Sequence, residues 1–269
     1  GGLLGNYQAA GMMLSVASLI FLMDYFYNNK NTINIIGGMM SIMGLLSSGK
    51  RMFSILVLLG YLAIYVLLRK DSSLGKWKTA KKFIIITACV LVLVIAGFVF
   101  IPSMREVFNR FIELSGDTST FTSGRSVLWE KAFEIFEENK MLGIGFANFA
   151  VFFEHNFIIS GVSAFLTHNI YIGLLAETGL IGFSILVSFM LTALWQSIKV
   201  FKQIRRTDNM QFKYIMTYSL LIQGWFIIYG FSGNGIYDIN EFFFYVMSIA
   251  AMISVKYRFR SLKGVHDEN

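Results

Sequence analysis

The chain has 269 residues, of which 55% are hydrophobic, 16% aromatic and only 14% charged. Soluble domains carry roughly 25% charged residues, so the composition excludes a soluble globular domain and indicates an integral membrane protein. The formal net charge is +7. Lys and Arg cluster at the ends of apolar runs and not along one polar face, so the charge reports membrane topology and no nucleic-acid partner is expected.

Continuous apolar runs of about 17 to 25 residues are long enough for helices that cross a membrane. We predict an all-α, polytopic transmembrane bundle with about seven spans, at residues 9–26, 33–46, 52–68, 83–101, 170–198, 214–231 and 242–255. Segment 33–46 is the weakest and contains three glycines, which leaves a tilted, broken or re-entrant segment open. The chain begins without Met and without the basic region of a signal peptide, so we expect the C-terminal part of a longer membrane protein.

Three connections are strongly basic, at 69–82, 199–213 and the tail from 256 to 263. Basic connections favour the cytoplasmic side, and the alternation of spans then places segment 102–168 and loop 232–241 outside. The predicted organisation is spans one to four in 1–101, a large extracytoplasmic loop in 102–168, and spans five to seven with a basic cytoplasmic tail in 169–269.

The external segment contains two amphipathic stretches, 104–114 and 126–138. In the second, an apolar stripe lies opposite a charged face, which is typical of an amphipathic helix. We expect this helix to lie on the membrane surface.

Arg125 lies in a Ser-Gly-Arg-Ser turn at the predicted start of the second amphipathic helix. Helix N-termini favour anions, because backbone N–H groups and the helix dipole point toward them. A guanidinium at this place suits bidentate binding of a phosphate. The alternative is an interfacial arginine that contacts lipid headgroups.

His168 directly precedes the apolar run 170–198, near the outer N-terminus of a predicted membrane helix. The dipole disfavours the imidazolium there, and a neutral histidine, whose ordinary pKa is about 6.5, suits proton abstraction from a sugar hydroxyl. The alternative is a capping or interface residue. Arg51 and the adjacent Lys50 lie at the outer end of the third segment, so the topology places a second cationic pair on the same side.

Several other polar residues leave two interpretations open. Glu177 lies inside an apolar run, about 13 Å of helix rise from His168, which favours a structural hydrogen bond or a neutral acid over contact with the same reacting atom. The glycines of segment 143–148 lack the context of a dinucleotide fingerprint and indicate a loop with close backbone approach. Asp238 and Glu241 suit either acceptor-sugar binding or a solvated loop. The sequence contains no recognisable metal or nucleotide motif.

The order and spacing of these motifs resemble the O-antigen ligase and polysaccharide polymerase family of membrane glycosyltransferases. The resemblance rests on Gly5-Asn-Tyr-Gln8, Ser47-Ser-Gly-Lys-Arg51, Ser123-Gly-Arg125 with Trp129, Leu142-Gly-Ile-Gly145 with Asn148-Phe149, His168-Asn-Ile-Tyr171 and Glu177-Thr-Gly-Leu-Ile-Gly182. Two departures are Met141, where a proline is common, and Lys50 before Arg51, which leaves open the cation that corresponds to the family motif. We favour Arg51.

The resemblance implies glycan transfer on the outer face of a bacterial cytoplasmic membrane, from a polyprenyl-diphosphate-linked oligosaccharide to an acceptor glycan or lipid carrier, without a metal, cofactor or nucleotide sugar. By the same resemblance, Arg51 and Arg125 would hold the diphosphate and His168 would act as the base. Further substrate-binding candidates are Lys50, Asn169, Tyr171, Glu177 and Trp129.

Two other classes of protein fit a polytopic chain. A lipid-linked glycan transporter or flippase would show interrupted helices in two related halves, and the sequence shows no such halves. A structural membrane scaffold would have no reason to place Arg125 and His168 near each other. The bias toward Lys, Ile, Asn and Phe is typical of a low-GC bacterium and favours a capsule or exopolysaccharide polymerase over a ligase, while the acceptor stays open.

Overall fold

The computed structural model describes residues 7–28, 31–48, 51–69, 81, 84–85, 88, 92, 125–156 and 166–267. Within this part of the chain there are eight helices and no strand: α1 Tyr7–Tyr27, α2 Thr32–Ser47, α3 Arg51–Arg69, α4 Arg125–Glu138, α5 Phe149–Asn156, α6 Ile170–Ile204, α7 Met210–Tyr229 and α8 Ile239–Asp267. The all-helical prediction is confirmed for these residues. Most of predicted span 83–101, the amphipathic stretch 104–114 and Lys50 lie outside them.

Three of these helices are long and apolar enough to cross a membrane: Ala9–Tyr27, Ile170–Ile204 and Ile239–Leu262. Two shorter apolar helices, Thr32–Ser47 and Met52–Leu68, coincide with the second and third predicted spans. The structure therefore describes a helical membrane protein, and the total of seven spans stays a prediction.

The first of two compact units contains Gly1–Asn109, Leu194–Trp225 and Phe243–Asn269. In it, α1, α2 and α3 pack against one another, and Phe53 of α3 stacks on Trp225 of α7 at 5.5 Å between ring centroids. Serine and glutamine side chains also join its helices: Gln223 of α7 donates to the hydroxyl of Ser197 of α6 at 2.9 Å. Such interhelical hydrogen bonds stabilise helix pairs in lipid.

The second unit contains Arg110–Ala193 and Phe226–Phe242. The apolar stripe of α4 was expected to lie on the membrane surface, but this expectation is wrong for its central residues. They are buried in a cluster that α4 forms with α5 and α6: Leu128, Ala132, Ile135, Phe149, Phe153 and Ala176. The stripe packs on protein because α5 offers two phenylalanine rings that cover it.

Helix α6 is interrupted at Gly179, whose φ of 59° and ψ of −168° are not helical. The segment that follows α4 fills this interruption. Four backbone hydrogen bonds join the two, from Leu180 to Lys140 at 2.7 Å, Ile181 to Met141 at 3.3 Å, Ile144 to Ala176 at 3.2 Å and Gly145 to Glu177 at 2.8 Å. The backbone groups that the break removes from the helix are thus bonded to the 140–145 segment.

Glycine is required where these two segments touch. Gly143 and Gly179 have positive φ, 67° and 59°, which other residues adopt only with strain. A Cβ at Gly143 would overlap the backbone of Glu177, and one at Gly179 would overlap the backbone of Met141. The predicted close backbone approach of the glycine loop is confirmed.

Candidate functional site

Arg125 is the first residue of α4, as the sequence predicted. One turn further along the helix, Nε1 of Trp129 donates a 2.7 Å hydrogen bond to the carbonyl oxygen of Thr167. Thr167 directly precedes His168 and is buried. The indole therefore ties the N-terminal turn of α4 to the segment that carries His168, and it brings these two parts of the chain together.

His168 is partly exposed and has a φ of 52°. This left-handed conformation is uncommon for a residue with a side chain, and such strain persists where the surroundings hold it in place. The ring is held on one side, because its Nδ1 lies 3.1 Å from Nδ2 of Asn234. The Nδ1 edge of the ring therefore faces Asn234.

Asn234 is 8% exposed, and its own backbone is fixed. Its carbonyl oxygen accepts from the backbone N–H of Tyr237 at 2.8 Å and of Asp238 at 3.2 Å. Its Oδ1 is buried and has no partner within the described residues. Asn234 is thus a buried amide whose polar side chain faces His168.

The orientation of this amide determines the chemistry of the imidazole. When Nδ2 of Asn234 donates to Nδ1 of His168, the neutral ring carries its proton on Nε2. A half-turn of the amide exchanges its oxygen and nitrogen, so that Oδ1 accepts from Nδ1–H and Nε2 carries no proton. The first arrangement makes Nε2 a hydrogen-bond donor, and the second makes it a base.

Asn169 and Tyr171, predicted to bind substrate, use their polar groups within the protein. Oδ1 of Asn169 accepts from the backbone N–H of Tyr171 at 3.0 Å and of Ile172 at 3.2 Å, so Asn169 caps α6. The hydroxyl of Tyr171 donates to the carbonyl oxygen of Ile227 at 2.7 Å. The start of α6, directly after His168, is therefore fixed on the end of α7.

Glu177 has 0% exposure and accepts three hydrogen bonds. Oε1 accepts from the backbone N–H of Phe149 at 3.0 Å. Oε2 accepts from the backbone N–H of Ala147 at 2.9 Å and from the hydroxyl of Tyr237 at 2.6 Å. The carboxylate therefore joins the glycine loop to loop 232–241, and this burial favours the structural interpretation of Glu177.

Tyr237 connects this carboxylate to the histidine. Its ring stacks on Phe146 at 5.4 Å between centroids, and its backbone N–H donates to Asn234. Burial raises the pKa of the Tyr237 phenol, and the charge of Glu177 and its hydrogen bond raise it further. The hydroxyl thus keeps its proton and remains a donor.

A second buried carboxylate, Glu241, lies against Tyr229. Tyr229 at the end of α7 forms a hydrogen bond with Glu241, and Arg125 lies close enough to act on Tyr229 electrostatically. Glu241 is 1% exposed, while Oδ1 of Asp238 caps α8 through the N–H of Asn240 at 2.9 Å. These contacts place Glu241 inside the protein and not in a solvated loop.

The structure does not relate Arg51 and Lys50 to this site. Arg51 begins α3 in the first compact unit, and its side chain is outside the described atoms, as is all of Lys50. Their part in the site stays a prediction.

The match to a protein-family model identifies the family of the chain. A family model described as O-Antigen ligase (Wzy_C) matches residues 36–187, which is more than half of the 269 residues. The chain belongs to the O-antigen ligase family. The matched O-antigen ligase region includes Arg51, Arg125 and His168, and Asn234 lies beyond its end. No curated protein matches the chain.

Sequence reasoning missed Asn234, Tyr237 and Tyr229 of this O-antigen ligase family member. Asn234 lies in a Ser-Gly-Asn-Gly segment, which reads as an ordinary turn. Nothing in that segment indicates a partner 66 residues away. A buried carboxylate such as Glu177 needs donors, and this need was the one available signal for Tyr237.

Proposed function

We propose that the protein is a membrane glycosyltransferase that joins polyprenyl-diphosphate-linked oligosaccharide units to an acceptor sugar, as a polysaccharide polymerase. Membership of the O-antigen ligase family supports the class of reaction. The observation that carries the proposal is the hydrogen bond from Trp129 to Thr167, because it brings the helix start at Arg125 to the segment of His168.

On the donor side, Arg125 binds the diphosphate. Arg125 is the first residue of α4, and the backbone N–H groups and dipole at a helix N-terminus also favour an anion. Arg51 supplies the second cation in this proposal. Fixed positive groups that face the leaving oxygen stabilise the charge that develops as the bond to the sugar breaks.

On the acceptor side, Nε2 of His168 takes the proton of the attacking sugar hydroxyl. The hydroxyl oxygen forms a bond to the anomeric carbon, and the bond from that carbon to the diphosphate oxygen breaks. The electron pair leaves with the polyprenyl diphosphate, and the configuration at the anomeric carbon is inverted. A positioned base of this kind typically contributes about 10²- to 10⁴-fold in rate.

This mechanism requires the orientation of Asn234 in which Oδ1 accepts from Nδ1–H of His168. Asn234 is then a positioning residue that selects the tautomer in which Nε2 carries no proton. A chain of hydrogen bonds holds Asn234 in place: Glu177 accepts from the hydroxyl of Tyr237, and Tyr237 donates its backbone N–H to Asn234. Glu177 thus contributes to the orientation of His168 without touching substrate.

The proposed location is a bacterial cytoplasmic membrane, with seven spans, the C-terminus in the cytoplasm and the site on the outer face. The basic ends of α6 and α8 support this orientation. The break in α6 gives little support to a transporter, because its freed backbone groups are bonded to the glycine loop.

The decisive experiment uses the full chain in liposomes with a labelled polyprenyl-diphosphate oligosaccharide and no ion gradient. A transferase forms a new glycosidic bond, whereas a flippase only moves the label across the membrane. A ladder of repeat units indicates a polymerase, and one transferred block indicates a ligase.

The variants His168→Ala and Arg125→Ala test the assigned roles in the same assay. We expect His168→Ala to lower the transfer rate by about 10²- to 10⁴-fold. His155→Ala is the matched control, because His155 is an exposed histidine of α5 and should leave transfer unchanged. Unchanged transfer by both site variants, correctly inserted in the membrane, would overturn the proposal.

A further inference from the structure

The loop that fills the break in α6 ends in an apolar tip, formed by Met141 and Leu142. These side chains are 58% and 73% exposed. Exposed Lys140 precedes them. Contiguous exposed apolar side chains with a basic neighbour are typical of surfaces that contact a membrane.

The apolar tip continues a surface of α6. Leu180 and Ile181, which directly follow the break, are 50% and 44% exposed. Their backbone N–H groups donate to Lys140 and Met141, so the tip lies at the level of these two residues. The environment that surrounds Leu180 and Ile181 therefore also surrounds the tip.

The length of the uncharged stretch of α6 indicates that this environment is lipid. Between Glu177 and Lys199 the sequence carries no charge for 21 residues, 178–198. At about 1.5 Å per residue this stretch covers about 30 Å, which is the thickness of the hydrocarbon core. The break at Gly179 and the attached tip then fall at one boundary of the hydrocarbon, opposite Lys199.

The loop can tolerate this position because its backbone is bonded. Non-helical backbone at membrane depth requires partners within the protein. Here Ile144 and Gly145 donate to carbonyl oxygens of α6, and Ala147 and Phe149 donate to the carboxylate of Glu177. The side chains at the tip face outward while the backbone turns inward.

We propose that Met141 and Leu142 insert into the bilayer at the hydrocarbon boundary of the outer leaflet, with Lys140 among the headgroups. The occupant of this surface is bulk lipid, since the tip continues the exposed face of a membrane-spanning helix. The assignment to the outer leaflet rests on the topology given in the proposed function. The contact with lipid does not depend on that topology. The insertion sets the height of the glycine loop, and through Glu177 that of loop 232–241, relative to the membrane.

Spin labelling of the full chain in liposomes tests this insertion. The single cysteine, Cys89, is first replaced with serine, and labels are then placed by Leu142→Cys, Ile185→Cys and Glu130→Cys. Ile185 is 65% exposed within the uncharged run and is the lipid reference, and Glu130 is an exposed residue of α4 in the same unit and is the water reference. If the Leu142→Cys protein does not fold and incorporate into liposomes, Met141→Cys is used in its place.

We expect the label at position 142 to collide more with dissolved oxygen than with a water-soluble nickel chelate, as the label at position 185 does. A label that behaves like that at position 130 would overturn the insertion. A label that is inaccessible to both reagents would overturn it too, because that result indicates contact with another protein chain. The labelling experiment does not depend on glycan transfer, so its result stands even if the proposed function is wrong.

Discussion

The side-chain amide of Asn234 lies 3.1 Å from Nδ1 of His168, although 66 residues separate them in the sequence. Because Asn234 is itself held by Tyr237, and Tyr237 by Glu177, the imidazole is oriented by a chain of contacts that ends at a fully buried carboxylate. A base whose tautomer is set in this way should respond to changes in the residue behind it.

Replacement of Asn234 separates the two possible orientations of the amide. Asn234→Ala should lower kcat by about 10- to 100-fold, less than loss of the base itself, because the imidazole loses its orientation. Asn234→Asp should retain more activity, since a carboxylate can only accept and therefore selects Nδ1–H. The measurement is kcat for both variants across pH.

The pH profile has a defined direction. A carboxylate beside His168 favours the imidazolium, so the pKa of the ring rises and the neutral base forms only at higher pH. The acidic limb of the kcat profile of Asn234→Asp should therefore move to higher pH than that of the unmodified protein. An unmoved limb, together with activity as low as that of Asn234→Ala, would show that Nδ2 donates and that Nε2 is not the base.

Arg125 should require its guanidinium and not only its charge. A lysine keeps the charge but cannot bind a diphosphate bidentately, so Arg125→Lys should lose most of the activity that Arg125→Ala loses. Loss of a charge-assisted contact of about 1.5 to 3 kcal/mol corresponds to a fall in kcat/KM of about 10- to 100-fold.

The matched control for Arg125 is Arg206→Ala, since Arg206 is an exposed arginine in the first compact unit. It should leave kcat/KM unchanged. Full activity of Arg125→Lys would indicate a general electrostatic contribution in place of a bound diphosphate.

Glu177 should matter for stability, because it accepts from three donors. In Glu177→Gln one carboxylate oxygen becomes an amide that donates, and at least one buried N–H or O–H loses its acceptor. Each buried polar group left without a partner costs about 1 to 3 kcal/mol. Thermal unfolding in detergent should show a lower Tm for Glu177→Gln and an unchanged Tm for Glu130→Gln, which alters an exposed carboxylate of α4. Equal Tm values would contradict the structural role.

Tyr237 should contribute to stability in a way that depends on alkaline pH. Its pKa is raised by burial and by Glu177, so the native protein holds this proton at pH values at which the unfolded chain loses it. Its stabilising contribution is complete below the ordinary tyrosine pKa of about 10 and falls as the pH rises above that value.

The destabilisation caused by Tyr237→Phe should therefore shrink between about pH 9 and about pH 11. The measurement is the free energy of unfolding of both proteins in detergent across this range. A difference that stays constant with pH would contradict the raised pKa. Phenylalanine keeps a ring that can stack on Phe146, so the comparison isolates the hydroxyl.

Gly143 and Gly179 should tolerate no side chain. Both have positive φ, and a Cβ at either would overlap backbone atoms of the other segment, so Gly143→Ala and Gly179→Ala should fail to accumulate as folded protein. Gly224→Ala is the control, because a Cβ at this position in α7 meets no atom within 4 Å. Size-exclusion chromatography after extraction compares the yields, and a normal yield of Gly143→Ala would contradict the tight contact.

Much of the fold could be predicted because the signals are local. Apolar runs marked α1, α2, α3, α6, α7 and α8, and the Ser-Gly-Arg-Ser turn correctly indicated that α4 begins at Arg125. The lipid contact expected for the apolar stripe of α4 was wrong for its central residues, because an amphipathic stripe indicates burial but not whether lipid or protein provides it. The break at Gly179 gave no signal, since glycine is frequent in membrane helices.

The candidate site depends on contacts that no spacing in the sequence contains. Arg125 and His168 could each be proposed from their positions before helices, but the contact between their segments is made by the indole of Trp129 and the carbonyl of Thr167. The partner of His168 could not be predicted at all. Asn234 follows α7, and the sequence around it indicates only an ordinary turn. Its contact with His168 exists only in the folded protein.

The close approach of the glycine loop to α6, at Gly143 and Gly179, also restricts how this protein can evolve. When two side chains press together, a larger residue on one side can be accepted if its neighbour becomes smaller. Here Gly143 faces the main chain of Glu177, and Gly179 faces the main chain of Met141, which are atoms that every residue carries. No second substitution at a facing position can restore the space, so variation at either glycine has no compensating path.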